Sequence, residues 1–353
     1  MVLQTTSLAD ITLEDYQAED LNTILANGGR GALAWDRGIG KTYGAIFFVE
    51  NVAPNERAVG VAPEHLLLRY RKFWNGVRPE RPIFIYGMDK FGPRDWVEST
   101  NGVLLVGWAS VHKLAEKVGK DFPFQALFAD ECHRAKNSKA RRTKALRWLS
   151  LRCPFFLPMS GTPLVGRPAA LWSILNMIDP TKWGNFIKYA RAYCDMKYNG
   201  FGYDFSGASN LSKLNAEIAP YVMRRLKNDT LKNLPPKNYE TIIIPMSAAA
   251  KAEYDDIASG VVDTWTSLAT GGAMNVMSIL SQMNALMQLT AKSKLNGILT
   301  WIDDFLESNN EREQLVVFCR HKWMLDAIQT HLSGELPDDD DPLDAQEIRP
   351  TKA

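Results

Sequence analysis

Gly38-Ile39-Gly40-Lys41-Thr42 lies between an apolar run and a helix-like run, and Asp130-Glu131-Cys132-His133 follows far downstream. Two glycines let a backbone turn tightly with its N–H groups facing one point, which suits a chain of phosphates. A helix opening at Lys41 adds its positive end to the same point. In a loop of this kind Gly38, Ile39, Gly40, Lys41, Thr42 and Tyr43 are the nucleotide-contacting candidates. The Lys41 ammonium reaches the β- and γ-phosphates, and the Thr42 hydroxyl coordinates Mg2+. The strict pattern wants a glycine where Trp35 stands, so the match is relaxed, and a glycine turn that merely caps a helix is the alternative. Asp130 and Glu131 close the apolar run QALFA. An acidic pair at that place holds Mg2+ through Asp130 and orients or activates a water through Glu131, with His133 placed toward the γ-phosphate. Taken alone, the pair also reads as an exposed strand end beside a stray histidine. Together the two motifs imply ATP binding and hydrolysis, with Lys41, Asp130, Glu131 and His133 as the catalytic candidates.

Such residues need a sheet to position them. Short apolar runs at 31–35, 58–62, 82–86, 103–108, 125–129 and 155–159 predict strands, and helical patterns fall at 65–74, 110–118 and 138–149. Alternation of this kind predicts an α/β fold, a parallel sheet flanked by helices. Ligands bind at the carboxyl ends of such strands. The glycine loop, the acidic box and Ser160-Gly161-Thr162 all follow strand ends. Beyond 169 the pattern changes to a helical insertion, with a helix at 171–178, an aromatic and glycine-rich stretch at 198–206 and a second helix ending in Met223-Arg224-Arg225. After a break at Leu234-Pro235-Pro236-Lys237, residues 239–246 predict another strand. Long helical patterns run from 248 to 307, then 315–319 predicts a fresh strand and 321–332 a helix.

The chain has 353 residues, 46% hydrophobic and 23% charged, which fits two or three globular domains rather than one. A formal charge of +1 announces no overall basic excess, although a local basic groove would not show in that sum. The four cysteines lie far apart without a C-x-x-C pair, which argues against zinc and against a disulfide framework. The N-terminus has no basic start and no apolar core of a signal peptide, and no apolar run reaches membrane-spanning length. These features lead to the expectation of a soluble intracellular protein without a membrane partner. It would be cytoplasmic or nucleoid-associated in a microbe or virus and nuclear in a eukaryote. Trp74, Trp108 and Trp172 read as core, Cys132 as a spacer, and His65, His112 and His321 carry no case for chemistry.

DECHRAKN resembles motif II of the SWI/SNF-type DNA-dependent ATPases of helicase superfamily two. Other segments agree and fall in that family's order. LEDYQAEDL is similar to the segment bearing its adenine-reading glutamine. AWDRGIGKT is similar to its motif I, with Asp36 for the usual Glu and Arg37 for Met, and VAPEHLLLRYRKFW to motif Ia. MSGTPLVGRPAALWSILNMIDP resembles motif III and the helix after it, MRRLKNDTLKNLPPK the R-R-x-K-x-D signature, and QLVVFCRHKWMLDAI motif IV. The resemblance covers residues 12 to 332. It implies a RecA-like P-loop sheet, use of ATP and Mg2+, and duplex DNA as partner. It also implies roles. Gln17 would read adenine, and Ser160, Gly161 and Thr162 would couple nucleotide state to DNA grip. Segments 63–69 and 110–112 would touch the DNA backbone, with Arg69, Ser110, Arg134 and Lys136 as the leading contacts and Arg71, Lys72, Lys139, Arg141 and Arg142 as further ones.

The expected organisation is a first RecA-like lobe at 1–168, a helical insertion at 169–233 and a returning strand of that lobe at 234–247. A helical connection at 248–310, the start of a second lobe at 311–335 and an acidic disordered tail at 336–353 complete it. Motifs V and VI, which carry arginines in this family, find no counterpart after motif IV, so a second polypeptide is a candidate to complete the motor. Arginines of that kind are worth ~10³–10⁵ in turnover. An incomplete second lobe would expose apolar surface at 315–318. Two rivals stand beside the motor: a non-hydrolysing ATP- and DNA-binding or partner-docking module, and an RNA helicase or restriction-type translocase of the same superfamily.

Overall fold

The computed structural model describes residues 1–90, 92–118, 123–161, 167–231, 235–269, 276–308 and 314–334. Two compact units divide the chain, Met1–Pro236 and Lys237–Ala353.

In the first unit a small antiparallel hairpin, β1 (Ser7–Leu8) with β2 (Ile11–Thr12), leads into α1 (Asp15–Ala26). Alternation follows: β3 (Ala32–Trp35), α2 (Lys41–Val52), β4 (Ala58–Ala62), a short 3-10 turn at Glu64–Leu66, α3 (Leu67–Val77), β5 (Ile83–Ile85) and α4 (Gly92–Glu98). Then come β6 (Val103–Gly107), α5 (Val111–Val118), β7 (Ala126–Ala129), a 3-10 turn at Cys132–Ala135, α6 (Arg141–Ser150) and β8 (Phe155–Pro158). Five parallel strands ladder in the order β5-β6-β4-β7-β8. β3 continues the sheet beyond β8 through parallel bridges at Arg30–Phe156 and Leu33–Met159, and the Ser160 amide donates to the Leu33 carbonyl at 3.0 Å. β3, β4, β6 and β7 are buried along their whole length. Unbroken apolar runs such as ALAW and VLLVG are what a parallel sheet covered on both faces requires. One face packs Leu21, Ile24, Phe47, Phe48, Tyr70 and Trp74 of α1, α2 and α3. The other packs Trp96, Leu114, Leu146 and Leu149 of α4, α5 and α6.

A charged cluster is sealed beneath the first of these faces. Glu50 Oε1 accepts from Trp74 Nε1 at 2.6 Å and from Arg81 Nη1 at 2.8 Å, and Arg78 lies 3.0 Å from Oε2. The Glu50 and Arg81 side chains are both fully buried. Arg81 also donates to the carbonyls of Ala53, Glu56 and Asn101.

The insertion holds α7 (Pro168–Ile178), α8 (Phe186–Tyr193), a hairpin of β9 (Lys197–Tyr198) and β10 (Tyr203–Asp204), and α9 (Leu211–Ile218). Met223-Arg224-Arg225 is not a helix end. It lies in β11 (Val222–Arg225), which pairs in parallel with β3 and is followed by α10 (Lys227–Thr230). The strand that returns to the sheet is therefore β11, and the insertion gives way to it before 233. Two β-branched or apolar positions flanked by arginines gave too short a pattern to separate strand from helix. The strand expected at 239–246 does not form, and residues 235–247 have no regular secondary structure. Its apolar side chains are largely exposed, Tyr239 at 90% and Ile243 at 85%.

The second unit consists of α11 (Ala248–Ala269), α12 (Val276–Ser308) and α13 (Lys322–Ser333). Leu315, Val317 and Cys319 pack against the small core of Leu295, Leu299, Ile302, Met324 and Ile328, while Val316 and Phe318 are exposed at 70% and 93%. Burial alternates as in a strand, yet 314–319 carries no ladder, because no neighbouring strand pairs with it among the described residues of this unit. The tail at 336–353 lies outside the described residues.

Candidate nucleotide and nucleic-acid site

The glycine loop joins the carboxyl end of β3 to the first turn of α2. Gly38 and Gly40 both have left-handed φ, +84° and +87°. A side chain at Gly40 would also collide with the Gln17 amide. Gly40→Ala is therefore expected to distort the loop by strain and by clash at once. Nucleotide affinity, read by titration with a fluorescent ATP analogue, should fall at least ~10-fold, equivalent to about 1.4 kcal/mol.

Gln17 is buried and pinned. Its Oε1 accepts from the Glu14 amide at 3.0 Å, closing a capping box at the start of α1, and its Nε2 donates to the Ile39 carbonyl at 3.1 Å. The Tyr16 hydroxyl donates to the same carbonyl at 2.9 Å. The N-terminus of α1 thus fixes the crest of the loop. Lys41 folds back, and its Nζ donates to the carbonyls of Trp35 and Asp36, each at 2.9 Å. Burial pulls its ammonium below the usual lysine range, opposed by Asp130, Glu131 and Asp36.

Asp36 and Trp35 are in turn gripped by β11 and α10. Asp36 Oδ2 accepts from the Lys227 amide at 3.0 Å, and Asp36 Oδ1 lies 3.6 Å from Arg224. Trp35 Nε1 donates to Asp20 Oδ2 at 2.7 Å, and Asp20 Oδ1 accepts from Arg225 at 2.6 Å. A cleft of about 410 Å³ lined by Tyr16, Arg224, Arg225, Leu226, Asp229 and Thr230 opens on this side. Sequence reasoning noted the arginines only as a signature. It missed Tyr16, whose signal was an aromatic ring adjoining Gln17 at a helix start.

The acidic box sits at the carboxyl end of β7. Asp130 is 5% exposed, with Oδ2 accepting from the Tyr70 hydroxyl at 3.0 Å and Oδ1 from the Glu131 amide at 2.9 Å. Burial raises its carboxyl above the usual range, and the Tyr70 hydroxyl opposes the rise. Each oxygen keeps a free lone pair. A buried carboxylate with unfilled acceptor capacity suits a hard divalent cation such as Mg2+. Glu131 adopts left-handed φ and ψ, +50° and +46°, a conformation rare outside glycine that turns its side chain out of the strand direction. Its Oε2 lies 3.1 Å from His133 Nδ1 and 3.5 Å from Ser160 Oγ, and His133 Nδ1 lies 3.0 Å from Ser160 Oγ. A Cβ added at Gly161 would stand 2.9 Å from Lys41 Nζ. The strand ends of β3, β7 and β8 therefore bring Lys41, Asp130, Glu131, His133, Ser160 and Gly161 together. Thr162 lies outside the described residues. Burial drives the Cys132 thiol well above its ordinary range, which suits a spacer and not a nucleophile.

The backbone-contact candidates occupy neighbouring strand ends. Glu64 Oε1, after β4, accepts from the Ala109 amide, after β6, at 2.8 Å. This ties segment 63–69 to the turn that carries Ser110. Both the Ala109 amide and the more remote Arg134 hold the Glu64 carboxyl below its usual range. Arg69 is exposed and lies over the Phe73 ring at 5.1 Å, while Arg134 and Lys136 are exposed after β7.

Residues 16–295 match the model of the SNF2-related domain. The chain is 29% identical over 340 residues to the SWI/SNF-related matrix-associated actin-dependent regulator of chromatin subfamily A-like protein 1 of Xenopus tropicalis, covering 94% of this chain and 34% of that protein. It is 27% identical over 327 residues to the DNA annealing helicase and endonuclease ZRANB3 of Bos taurus, covering 88% of this chain and 29% of that protein. The chain thus spans about a third of the length of these curated relatives. Its fold is similar to the Sulfolobus solfataricus SWI2/SNF2 ATPase core in complex with dsDNA, with a TM-score of 0.56 and 19% identity over 95% of this chain and 72% of that one. With a glycine loop and acidic box facing each other across β8, and a family model matched over most of its length, the chain belongs to the SNF2-related domain family.

Proposed function

We propose that the chain binds Mg-ATP between the glycine loop and the acidic box, and that with a complete second lobe it hydrolyses ATP to move along duplex DNA. The observation that carries this reading is the convergence of Lys41, Asp130, Glu131, Ser160 and Gly161 from three separate strand ends. Lys41 would exchange its two carbonyl partners for phosphate oxygens. Thr42 and Asp130 would hold Mg2+, which supplies charge neutralisation of the phosphates when bound. Glu131 would accept hydrogen bonds from the attacking water, and His133 and Ser160, already in contact with it, would report the occupied state to segments 63–69 and 110–112. Gln17 would trade one of its protein bonds for the adenine edge. The partner is duplex DNA, held through phosphates by Arg69, Ser110, Arg134 and Lys136. The arginines absent from this wall of the site would come from the second lobe or from a second polypeptide.

ATP turnover measured with duplex DNA, single strands and RNA tests this. Duplex DNA should stimulate most. Glu131→Gln should retain nucleotide binding and lower stimulated turnover ~10²–10⁴-fold, the range for a positioned general base. Stimulation by RNA alone, or turnover indifferent to Glu131→Gln, would refute the DNA-motor reading.

A further inference from the structure

Tyr70 carries the one hydroxyl on the buried stripe of α3, where Leu67, Trp74 and Val77 are its companions. Its ring packs on Phe128, two residues before Asp130 on β7, with centroids 5.2 Å apart. It is 1% exposed, so its hydroxyl must find partners inside the protein. The donated proton goes to Asp130 Oδ2 at 3.0 Å. A phenol has one proton to give and a carboxylate none, so this contact fixes Tyr70 as the donor and Asp130 as the acceptor.

We propose that Tyr70 is a positioning residue for magnesium: through its one hydroxyl it fixes the rotation of the Asp130 carboxylate, so that Asp130 presents its remaining lone pairs to the cation. The assignment rests on the Mg-ATP reading above. A carboxylate ligand needs a donor to fix its rotation. Tyr70 supplies that donor from a helix that carries none of the ligands. It also links the segment after β4, a candidate DNA contact, to the nucleotide pocket through α3.

Tyr70→Phe keeps the ring against Phe128 and removes only the oxygen. Binding of a fluorescent ADP analogue is titrated against Mg2+, and separately in EDTA, for the wild type, Tyr70→Phe and Asp130→Asn, with thermal melting in parallel. The half-saturating Mg2+ concentration should rise ~10–100-fold in Tyr70→Phe, the usual loss when an outer partner of a metal ligand is removed. EDTA binding should be unchanged. A wild-type Mg2+ dependence in Tyr70→Phe, with Asp130→Asn impaired, overturns the role of Tyr70 alone. Equal losses with Mg2+ and in EDTA mark Tyr70 as a packing residue and overturn it too. No effect of Asp130→Asn on Mg2+ dependence removes the magnesium reading beneath it.

Discussion

Lys41→Ala should weaken nucleotide binding by roughly 30-fold to several thousand-fold. Truncating one partner of a buried, hydrogen-bonded charge pair costs about 2–5 kcal/mol, and each 1.4 kcal/mol is tenfold. Lys41 is half-buried and would form such a pair with a bound phosphate. Its ammonium is drawn inside by the carbonyls of Trp35 and Asp36, and the carboxylates of Asp130 and Glu131 act on it. The effect should appear in the affinity for a fluorescent ATP analogue. The melting temperature should move far less, since the vacated carbonyls end β3 at the mouth of the cleft. Unchanged affinity would mean that the lysine is only an internal tether of the loop.

Glu50→Ala should cost about 3–5 kcal/mol of stability, the range for removing one partner of a buried ion pair. For a unit of this size the expected drop in melting temperature is on the order of 10 °C. Arg81 would be left fully buried with carbonyl partners but no counter-charge, and Trp74 Nε1 would lose its acceptor. Glu50→Gln, which retains an oxygen for Trp74, should cost less than Glu50→Ala. The measurement is thermal or denaturant melting of the full chain. Equal melting of Glu50→Ala and wild type would show that the cluster adds nothing net, as some buried ion pairs do.

Much of the first unit is legible in residue order because a parallel sheet writes itself as apolar runs. The strands at 58–62, 103–107 and 126–129 fall within a residue of the expected runs, since each is buried on both faces. The glycine loop and the acidic box, the candidate motifs, were legible for a related reason: each needs particular residue types at particular spacings. What stayed hidden is long-range. β11 reads as Val-Met-Arg-Arg, and only its ladder with β3 and the pairing of Arg225 with Asp20 make it a strand. The segments at 239–246 and 315–319 erred the other way. They have the composition of strands, but a strand exists only with a neighbour, and composition does not reveal one. Tyr70 was invisible because a tyrosine among Leu67, Trp74 and Val77 reads as packing, while its function lies in one oxygen.

β11 also sets a timetable. Asp36 and its Lys227 partner are 191 residues apart, and the glycine loop lies at the N-terminal end of that span. Ribosomes add ~5–20 residues per second, so roughly 10–40 s separate synthesis of the loop from synthesis of the strand that grips it. During that interval β3 is an open edge, with its pairing groups toward β11 unmet. A nascent chain that stops before Arg225 should carry the complete loop and acidic box and still hold nucleotide poorly. The proposed competence for ATP is thus a late event in the life of this polypeptide, acquired when the first-made strand of its parallel sheet is closed by one of the last strands of its own unit.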